Sequence, residues 1–329
     1  MHCHSVGIAI VCCLLCCLAF TKALAQQNNR STKGWDFTEK IQSQGRVRTY
    51  TVHVPPSYRA SSAIPIVLVF HGSYMNGLMM LGVTGFNRVA DRHNFVVVYP
   101  DGVNNRWEDG RFEHVADDIG FVTDMLGQLG RRVKIDERRI YGVGLSNGGY
   151  LVQKLACESN RIAAIAVVAS SLAEETASNC HQSRKIPVVF FYGTADPMVP
   201  SGDPEHNAEL GKLGEALGIG SLGSLTPRLA RLGGYMTGEE AVDFWCRHNH
   251  CSTTPYTKQL PDLDPHDGTR VKCETYGGYG SEVVVYKIEG GGHNWPGAAY
   301  FGPKEYFGNL THDIDASEVI AEFLLKHSN

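Results

Sequence analysis

The chain has few charged residues, only a small net charge, and no apolar run long enough for a comfortable membrane span. Charged residues make up 19% of its 329 residues, and the formal net charge is −4. Neither sign of charge dominates, so nothing in the composition points to binding of nucleic acid or of an anionic membrane surface. No internal repeat and no serine- or threonine-rich linker is visible. With 43% hydrophobic residues and abundant glycine, the chain instead indicates a globular, loop-rich protein with a sizeable core.

The most apolar segment lies at the N-terminus. Residues 6–20 are almost wholly apolar, and Ala-Leu-Ala at 23–25 has the form of a signal-peptidase site. The run is too short for a comfortable membrane span. We therefore expect residues 1–25 to be a cleaved signal peptide and the mature protein to be secreted, or periplasmic, without stable membrane insertion. A retained N-terminal anchor is the alternative.

Removal of that segment leaves five of the ten cysteines. An oxidising compartment permits disulfides among them, although the connectivity cannot be read from a sequence. Cys157 and Cys180 follow adjacent predicted elements and could join two βα units. Cys251 and Cys273 flank a loop rich in proline and aspartate and could close it, which would leave Cys246 unpaired. Buried free thiols are the alternative, and the spacing does not fit a zinc site.

Short apolar strands alternate with helical patterns along the rest of the chain. This alternation predicts an α/β fold, with a mostly parallel central sheet and helices on both faces. We expect about eight strands and five or six helices in one catalytic domain over residues 26–329. The predicted strands include residues 47–54, 66–70, 96–99, 140–143, 165–168, 188–192 and 283–288. Residues 201–234 interrupt the rhythm and indicate an inserted lid-like segment, or a surface excursion without a role.

A nucleophile is indicated at Ser146. Residues 144–148 read Gly-Leu-Ser-Asn-Gly and stand between an apolar strand pattern and a helical one. Strand, sharp turn and helix is the context of a nucleophile elbow, in which small residues flank the serine and its hydroxyl is raised above the sheet. Chance matches to the pattern are common in glycine-rich chains, so the flanking elements carry the prediction.

An acid and a base are expected downstream of this serine, in the chain order of the α/β-hydrolase fold. Asp196 follows the predicted strand 188–192, with Asp203 as its nearest rival. His293 stands on a glycine-rich loop after strand 283–288, whereas His312 and His327 lack a preceding strand. The backbone N–H groups of Ser73 and Asn147 are the expected oxyanion donors, and a structural role is favoured for the side chain of His71.

Five blocks together resemble the secreted poly(3-hydroxybutyrate) depolymerase and feruloyl esterase lineage, which comprises carbohydrate esterase family 1-type α/β-hydrolases. They are His-Gly at 71–72, Tyr-Pro-Asp-Gly at 99–102, the block at 144–149, Gly-Thr-Ala-Asp at 193–196 and Gly-His-Asn-Trp-Pro-Gly at 292–297. The resemblance implies Ser146 as nucleophile, Asp196 as acid and His293 as base. It also implies ester hydrolysis without a metal or an organic cofactor. Ser73 stands where many relatives carry cysteine, and residues 201–234 are longer than the family leads us to expect.

Three functions are compatible with these residues. The first is a serine esterase of feruloyl or acetyl type, and the second is a depolymerase of poly(3-hydroxybutyrate) or of hydroxyalkanoate oligomers. Either would act on a small or polymeric ester. The third is a non-catalytic binding protein on a hydrolase fold. Trp295, two residues from the predicted base, and Trp107, on a polar loop, are candidates for lining a substrate pocket, with packing in the core as the alternative for each.

Overall fold

Several central strands are continuous apolar runs because both faces of the sheet are covered, as is usual for parallel strands. Every residue of the third, fourth and sixth strands is buried. The computed structural model describes residues 35–110, 116–199 and 234–329. The predicted signal peptide and the predicted lid, apart from Gly234, lie outside the described residues.

Ten strands of the described residues form one sheet in the order β1-β2-β4-β3-β5-β6-β7-β10-β9-β8. Their bounds are β1 Trp35–Ser43, β2 Arg46–Val54, β3 Ile64–Phe70, β4 Val96–Pro100, β5 Ile135–Leu145, β6 Ile162–Val168, β7 Val188–Gly193, β8 Tyr256–Gln259, β9 Arg270–Tyr276 and β10 Val283–Glu289. The central strands pair in parallel, and they are the six neighbours β4, β3, β5, β6, β7 and β10. Antiparallel strands flank them on both sides.

Eight helices are described, and they cover the two faces of the sheet. Their bounds are α1 Gly77–Thr84, α2 Phe86–His93, α3 Asp118–Leu129, α4 Asn147–Glu158, α5 Glu174–Ser178, α6 Gly238–His248, α7 Lys304–Phe307 and α8 Ala316–Leu324. Apolar residues of α3, α4 and α6 pack with Ile66, Leu68 and Phe70 of β3. Those of α1, α2 and α8 pack with Val67 and Val69 from the opposite face of the same strand. The predicted fold, a mostly parallel sheet between two layers of helices, is confirmed.

Three of the ten described strands, β1, β8 and β9, are not among the strands predicted from the sequence. β1 is largely exposed or half-buried and pairs antiparallel with β2, while β8 is a four-residue exposed strand on β9. β9 itself has one fully buried residue, Val271, so its pattern is weakly apolar. Strands at the rim of a sheet bury little surface, and their sequences therefore carry little periodicity.

Of the two expected cysteine pairs, one forms a disulfide and the other does not. Cys157 at the end of α4 and Cys180 after α5 form a disulfide, which confirms that expected pair. The expected bridge between Cys251 and Cys273 is wrong, because both are free thiols. Cys273 lies on β9 opposite Tyr286, whereas Cys251 follows α6 and its thiol contacts the carbonyl oxygen of Ser281. Among the described helices, none combines the length and apolarity needed to cross a bilayer.

Candidate active site

Ser146 occupies a sharp turn between β5 and α4. Its backbone dihedrals are φ 52° and ψ −118°, which a residue with a Cβ adopts only under constraint. Its N–H donates to the carbonyl of Val168 at 2.9 Å, and its carbonyl accepts from Gly149 at 2.8 Å. A Cβ at Gly144 would collide with the carbonyl of Gly148, so the turn tolerates no side chain there. The neighbouring backbone thus holds Ser146 in its strained conformation.

Asp196 and His293 form a buried pair at the carboxyl ends of β7 and β10. The distance from His293 Nδ1 to Asp196 Oδ2 is 2.9 Å, and both side chains are at least 95% buried. Asp196 Oδ1 also accepts the backbone N–H groups of Met198 and Val199, at 2.7 and 3.1 Å. A carboxylate held in this way makes Nδ1 the protonated ring nitrogen and leaves Nε2 as the basic one.

The serine lies at the same edge of the sheet, because β5, β6, β7 and β10 are consecutive parallel strands. Ser146, Asp196 and His293 each follow the carboxyl end of one of them. No hydrogen bond joins the Ser146 hydroxyl to His293 in the described part of the chain. In enzymes without bound substrate such contacts are often long and tighten on binding.

The loop after β3 approaches the serine from the other side. A Cβ built on Gly72 would lie 3.4 Å from Ser146 Cβ, so the backbone of this loop lies close to the predicted nucleophile. The N–H of Tyr74 donates to the carbonyl of Asn105, and the N–H of Met75 donates to the carbonyl of Gly72. Within residues 35–110, 116–199 and 234–329, the N–H groups of Ser73 and Asn147 have no protein acceptor. No acceptor among the described residues therefore competes for these two predicted oxyanion donors.

The side chain of His71 holds the loop after β3 in place through two contacts of its ring. Its ring is fully buried, with Nδ1 2.8 Å from the carbonyl of Gly72 and Nε2 2.9 Å from the amide nitrogen of Gly102. An amide N–H can only donate, so Nε2 is the acceptor and Nδ1–H the donor. Burial lowers the pKa of His71 from 6.5 to about 4, and the imidazole is neutral at neutral pH.

Trp107 is a predicted candidate for lining a pocket, but in the described part of the chain it is buried and supports the site from within. Only 4% of its surface is exposed, and its indole Nε1 donates to the carbonyl of His71 at 2.8 Å. Its backbone N–H donates to Asn147 Oδ1 at 2.8 Å, while Asn147 Nδ2 donates to a carboxylate oxygen of Asp109. Trp107 thereby joins the loop after β3 to Asn147, the first residue of α4.

Trp295 is also misassigned by the sequence analysis. It is 1% exposed, packs against Phe86 at a centroid distance of 6.0 Å, and donates its indole N–H to the Ser317 hydroxyl at 3.1 Å. The alternative of core packing is correct, because the ring anchors the His293 loop onto α2 and α8. Exposed apolar surface near the site comes instead from Tyr74, beside Ser73, and from Met198, beside Asp196.

Buried charges next to the site left no sequence signal, since their partners are far apart in the chain. Arg48 on β2 pairs with Asp118 at 2.7 Å, and the same carboxylate accepts the N–H of Glu108 at 2.7 Å. Glu108 in turn pairs with Lys154 of α4 at 2.5 Å. These pairs hold the segment of Trp107 against the helix that follows the nucleophile.

One group in the described part of the chain has the geometry to hold a metal ion. Ligand atoms of Asp264, Asp267 and His312 lie within 4.8 Å of one another. Asp267 already accepts the N–H groups of Thr269 and His312 through its two oxygens, which explains the cluster without an ion. None of these residues belongs to the loops that carry Ser146, Asp196 or His293.

Several known proteins that are similar to this chain are esterases. Residues 48–199 match the family model described as Esterase PHB depolymerase. The protein NocK of Nocardia uniformis subsp. tsuyamanensis, named as an esterase, is 27% identical over 85% of this chain and 80% of its own. Feruloyl esterase D of Neurospora crassa is 23% identical over 76% of this chain and 75% of its own. These similarities show the chain to be a carboxylic ester hydrolase. The resemblance in the sequence is thereby confirmed.

Other relatives of the esterase are more distant or longer. Feruloyl esterase B of Piromyces equi is 24% identical over 75% of this chain, which spans only 42% of that protein. Among solved structures, an S-formylglutathione hydrolase from Agrobacterium tumefaciens aligns over 51% of this chain and 78% of its own, with 18% identity and a TM-score of 0.43. A ferulic acid esterase aligns over 56% and 87%, with 16% identity and the same TM-score. The α/β fold of the esterase is established by the strand order and pairing of its own sheet.

Proposed function

We propose that the esterase cleaves its substrates with Ser146 as nucleophile, His293 as general base and Asp196 as the acid that orients the base. The observation that carries the proposal is the buried pair of His293 Nδ1 and Asp196 Oδ2, 2.9 Å apart, at the sheet edge where Ser146 occupies a strained turn. Burial of both partners is costly unless the pair is hydrogen bonded, and Met198 and Val199 donate further hydrogen bonds to the carboxylate.

The reaction follows from the direction of these hydrogen bonds. Because Asp196 holds the proton on Nδ1, His293 Nε2 takes the Ser146 proton as the oxygen attacks the ester carbonyl. The N–H groups of Ser73 and Asn147 bind the resulting oxyanion. Protonation by His293 releases the alcohol, and a water molecule, activated in the same way, then hydrolyses the acyl-enzyme. Substrate binding brings the hydroxyl and the imidazole together.

For the substrate we propose esters of feruloyl or acetyl type. Two relatives named as feruloyl esterases support this class. An aromatic acyl group could contact the ring of Tyr74, which is 61% exposed and stands next to Ser73. The guanidinium of Arg106 lies 4.5 Å from the centroid of that ring and holds it in place. The description of the family model favours a second candidate, hydrolysis of poly(3-hydroxybutyrate) or of its oligomers.

We also propose that the esterase is exported. The disulfide between Cys157 and Cys180 supports an oxidising compartment. N-terminal sequencing of the protein purified from its own source would test this proposal. A mature chain that begins at Gln26 is expected, and an intact N-terminus would contradict cleavage.

One labelling experiment tests the nucleophile. A fluorophosphonate should modify Ser146, as identified by peptide mass spectrometry, and should inactivate the esterase. Ser146→Ala should abolish both labelling and hydrolysis, while the matched control Ser57→Ala, on the surface beside Asn94, should change neither. Labelling of another serine, or activity in Ser146→Ala, would move the chemistry elsewhere.

A release assay tests the substrate class. It compares methyl ferulate, acetylated xylan, p-nitrophenyl esters of graded length and hydroxybutyrate oligomers on one preparation. Tyr74→Ala should lower kcat/KM for methyl ferulate by about tenfold, which corresponds to about 1.4 kcal/mol of lost stacking, and should affect acetyl esters less. Preference for hydroxybutyrate oligomers would favour the second candidate.

A further inference from the structure

The C-terminal end of α6 is a complete Schellman motif. After the cap residue Asn249, His250 adopts the left-handed conformation with φ 55°. The N–H of Cys251 donates to the carbonyl of Cys246 at 2.8 Å, and that of His250 donates to Arg247 at 3.1 Å. These are the two hydrogen bonds that define the motif, and glycine usually occupies the place taken by His250.

The motif brings two particular side chains together. An apolar contact between the residue two beyond the cap and the third-last helical residue frequently accompanies it, and here these residues are Cys251 and Cys246. Cys246 is 6% exposed and Cys251 is half-buried. Burial raises the pKa of the Cys246 thiol to about 12, with the neighbouring Cys251 as the next cause. The two thiols are therefore neighbouring side chains at the C-terminal end of α6.

We propose that Cys246 and Cys251 form an intramolecular disulfide when the esterase meets a disulfide oxidant such as glutathione disulfide. The bond would close the turn at the end of α6 and leave Cys273 as the free thiol among the described cysteines. It would be a second covalent link, separate from the bond between Cys157 and Cys180.

The exchange proceeds in two balanced steps. Cys251 is the more accessible of the pair, so its thiolate attacks one sulfur of glutathione disulfide and releases one glutathione thiolate, which takes up a proton. The Cys246 thiolate then attacks the Cys251 sulfur of the mixed disulfide and releases the second glutathione. Two protein thiols are oxidised, and one glutathione disulfide is reduced to two thiols. Only thiolates attack, and burial raises the pKa of Cys251 too, so the exchange should accelerate with pH.

The position of this bond gives it a structural consequence. Asn249 binds the backbone N–H and carbonyl of Ile186, just before β7, at 2.9 and 2.6 Å. Trp245 donates its indole N–H to Gln153 of α4 at 2.9 Å. The same helix end therefore touches the strand that leads to Asp196 and the helix that follows Ser146. Its closure should stabilise the protein against unfolding without changing the reacting groups.

Peptide mapping tests the pairing directly. The purified full-length esterase is incubated with glutathione disulfide, denatured, alkylated with iodoacetamide and digested with trypsin without reduction. Cleavage after Arg247 separates the two cysteines, so a disulfide appears as a crosslinked pair of peptides. We expect that crosslink, alkylation of Cys273, and a melting temperature a few degrees above that of the untreated protein.

Matched variants complete the test. Cys273→Ser should keep the crosslink, whereas Cys251→Ser should abolish it together with the rise in melting temperature. Should Cys246→Ser fold poorly, the variant at position 251 still decides the outcome. Alkylation of Cys246, Cys251 and Cys273 after oxidation would overturn the proposal, as would a crosslink between Cys251 and Cys273. The esterase activity of Ser146 is not part of either readout, so loss of the proposed mechanism would leave this result unaffected.

Discussion

Protonation of His71 should make the esterase unstable in mild acid. In the folded protein its Nε2 accepts the N–H of Gly102, and its ring lies 4.6 Å from that of Trp107 in a fully buried position. A second ring proton would point at the N–H of Gly102, donor against donor. Burial is the main reason why the pKa falls from 6.5 to about 4.

The size of the effect follows from those two values. One pKa unit corresponds to 1.36 kcal/mol, so a fall from 6.5 to about 4 corresponds to about 3 kcal/mol of folding free energy. Between these pH values the unfolded chain binds a proton that the folded chain does not. The contribution is therefore fully present above pH about 6.5 and is lost as the pH falls towards about 4.

The assay is urea unfolding at a series of pH values from 7.5 to 4, applied to the wild type and to His71→Gln. The amide oxygen that this substitution introduces can still accept from Gly102, but the amide does not titrate. The free energy of unfolding of the wild type should fall by about 3 kcal/mol more than that of the variant. Other titrating groups are common to both proteins and cancel in the difference. Parallel profiles for the two proteins would refute the assignment of a neutral, buried imidazole.

The same variant has a kinetic consequence. At neutral pH it loses the hydrogen bond from Nδ1 to the carbonyl of Gly72, which positions the N–H of Ser73. A displaced oxyanion donor lowers kcat, because loss of such a donor costs about 10²–10³ in rate. We expect kcat of His71→Gln to fall by no more than that factor, while KM changes little. Unchanged kcat would mean that the loop does not depend on His71.

Three further predictions concern packing, buried charge and the observed disulfide. Gly193→Ala should destabilise the esterase strongly in thermal unfolding, because a Cβ there would collide with the Gly291 carbonyl between the acid and base loops. Lys154→Met should cost about 3–5 kcal/mol in chemical unfolding, since it removes the cation paired with the buried Glu108 carboxylate, and adding Glu108→Gln should restore most of it; equal stability of the single and double variants would contradict this. Reduction of the bond from Cys157 to Cys180, or the variant Cys180→Ser, should lower unfolding stability by about 2–4 kcal/mol.

The sequence alone determined the central strands and the order of the chemistry-bearing loops. Short apolar runs bounded by turn residues are typical of strands buried on both faces, so β3, β4, β6 and β7 were predictable within a few residues. Glycines flank Ser146 because the turn has no room for a Cβ at their positions. This constraint is local, so it is visible in a local sequence pattern. For the same reason the positions of Asp196 and His293, each directly after a strand, could be read without coordinates.

Only the tertiary structure decided what surrounds these loops. The two tryptophans near the site were predicted as pocket walls, yet their indole N–H groups bind His71 and Ser317, residues remote in sequence. The pair of Lys154 and Glu108 left no signal for the same reason. Cysteine pairing is likewise a question of which elements meet, and Cys251 and Cys273, an expected pair, are both free thiols. Chain-local constraints leave a trace in the sequence, whereas contacts between distant segments exist only once the sheet and its helices have assembled.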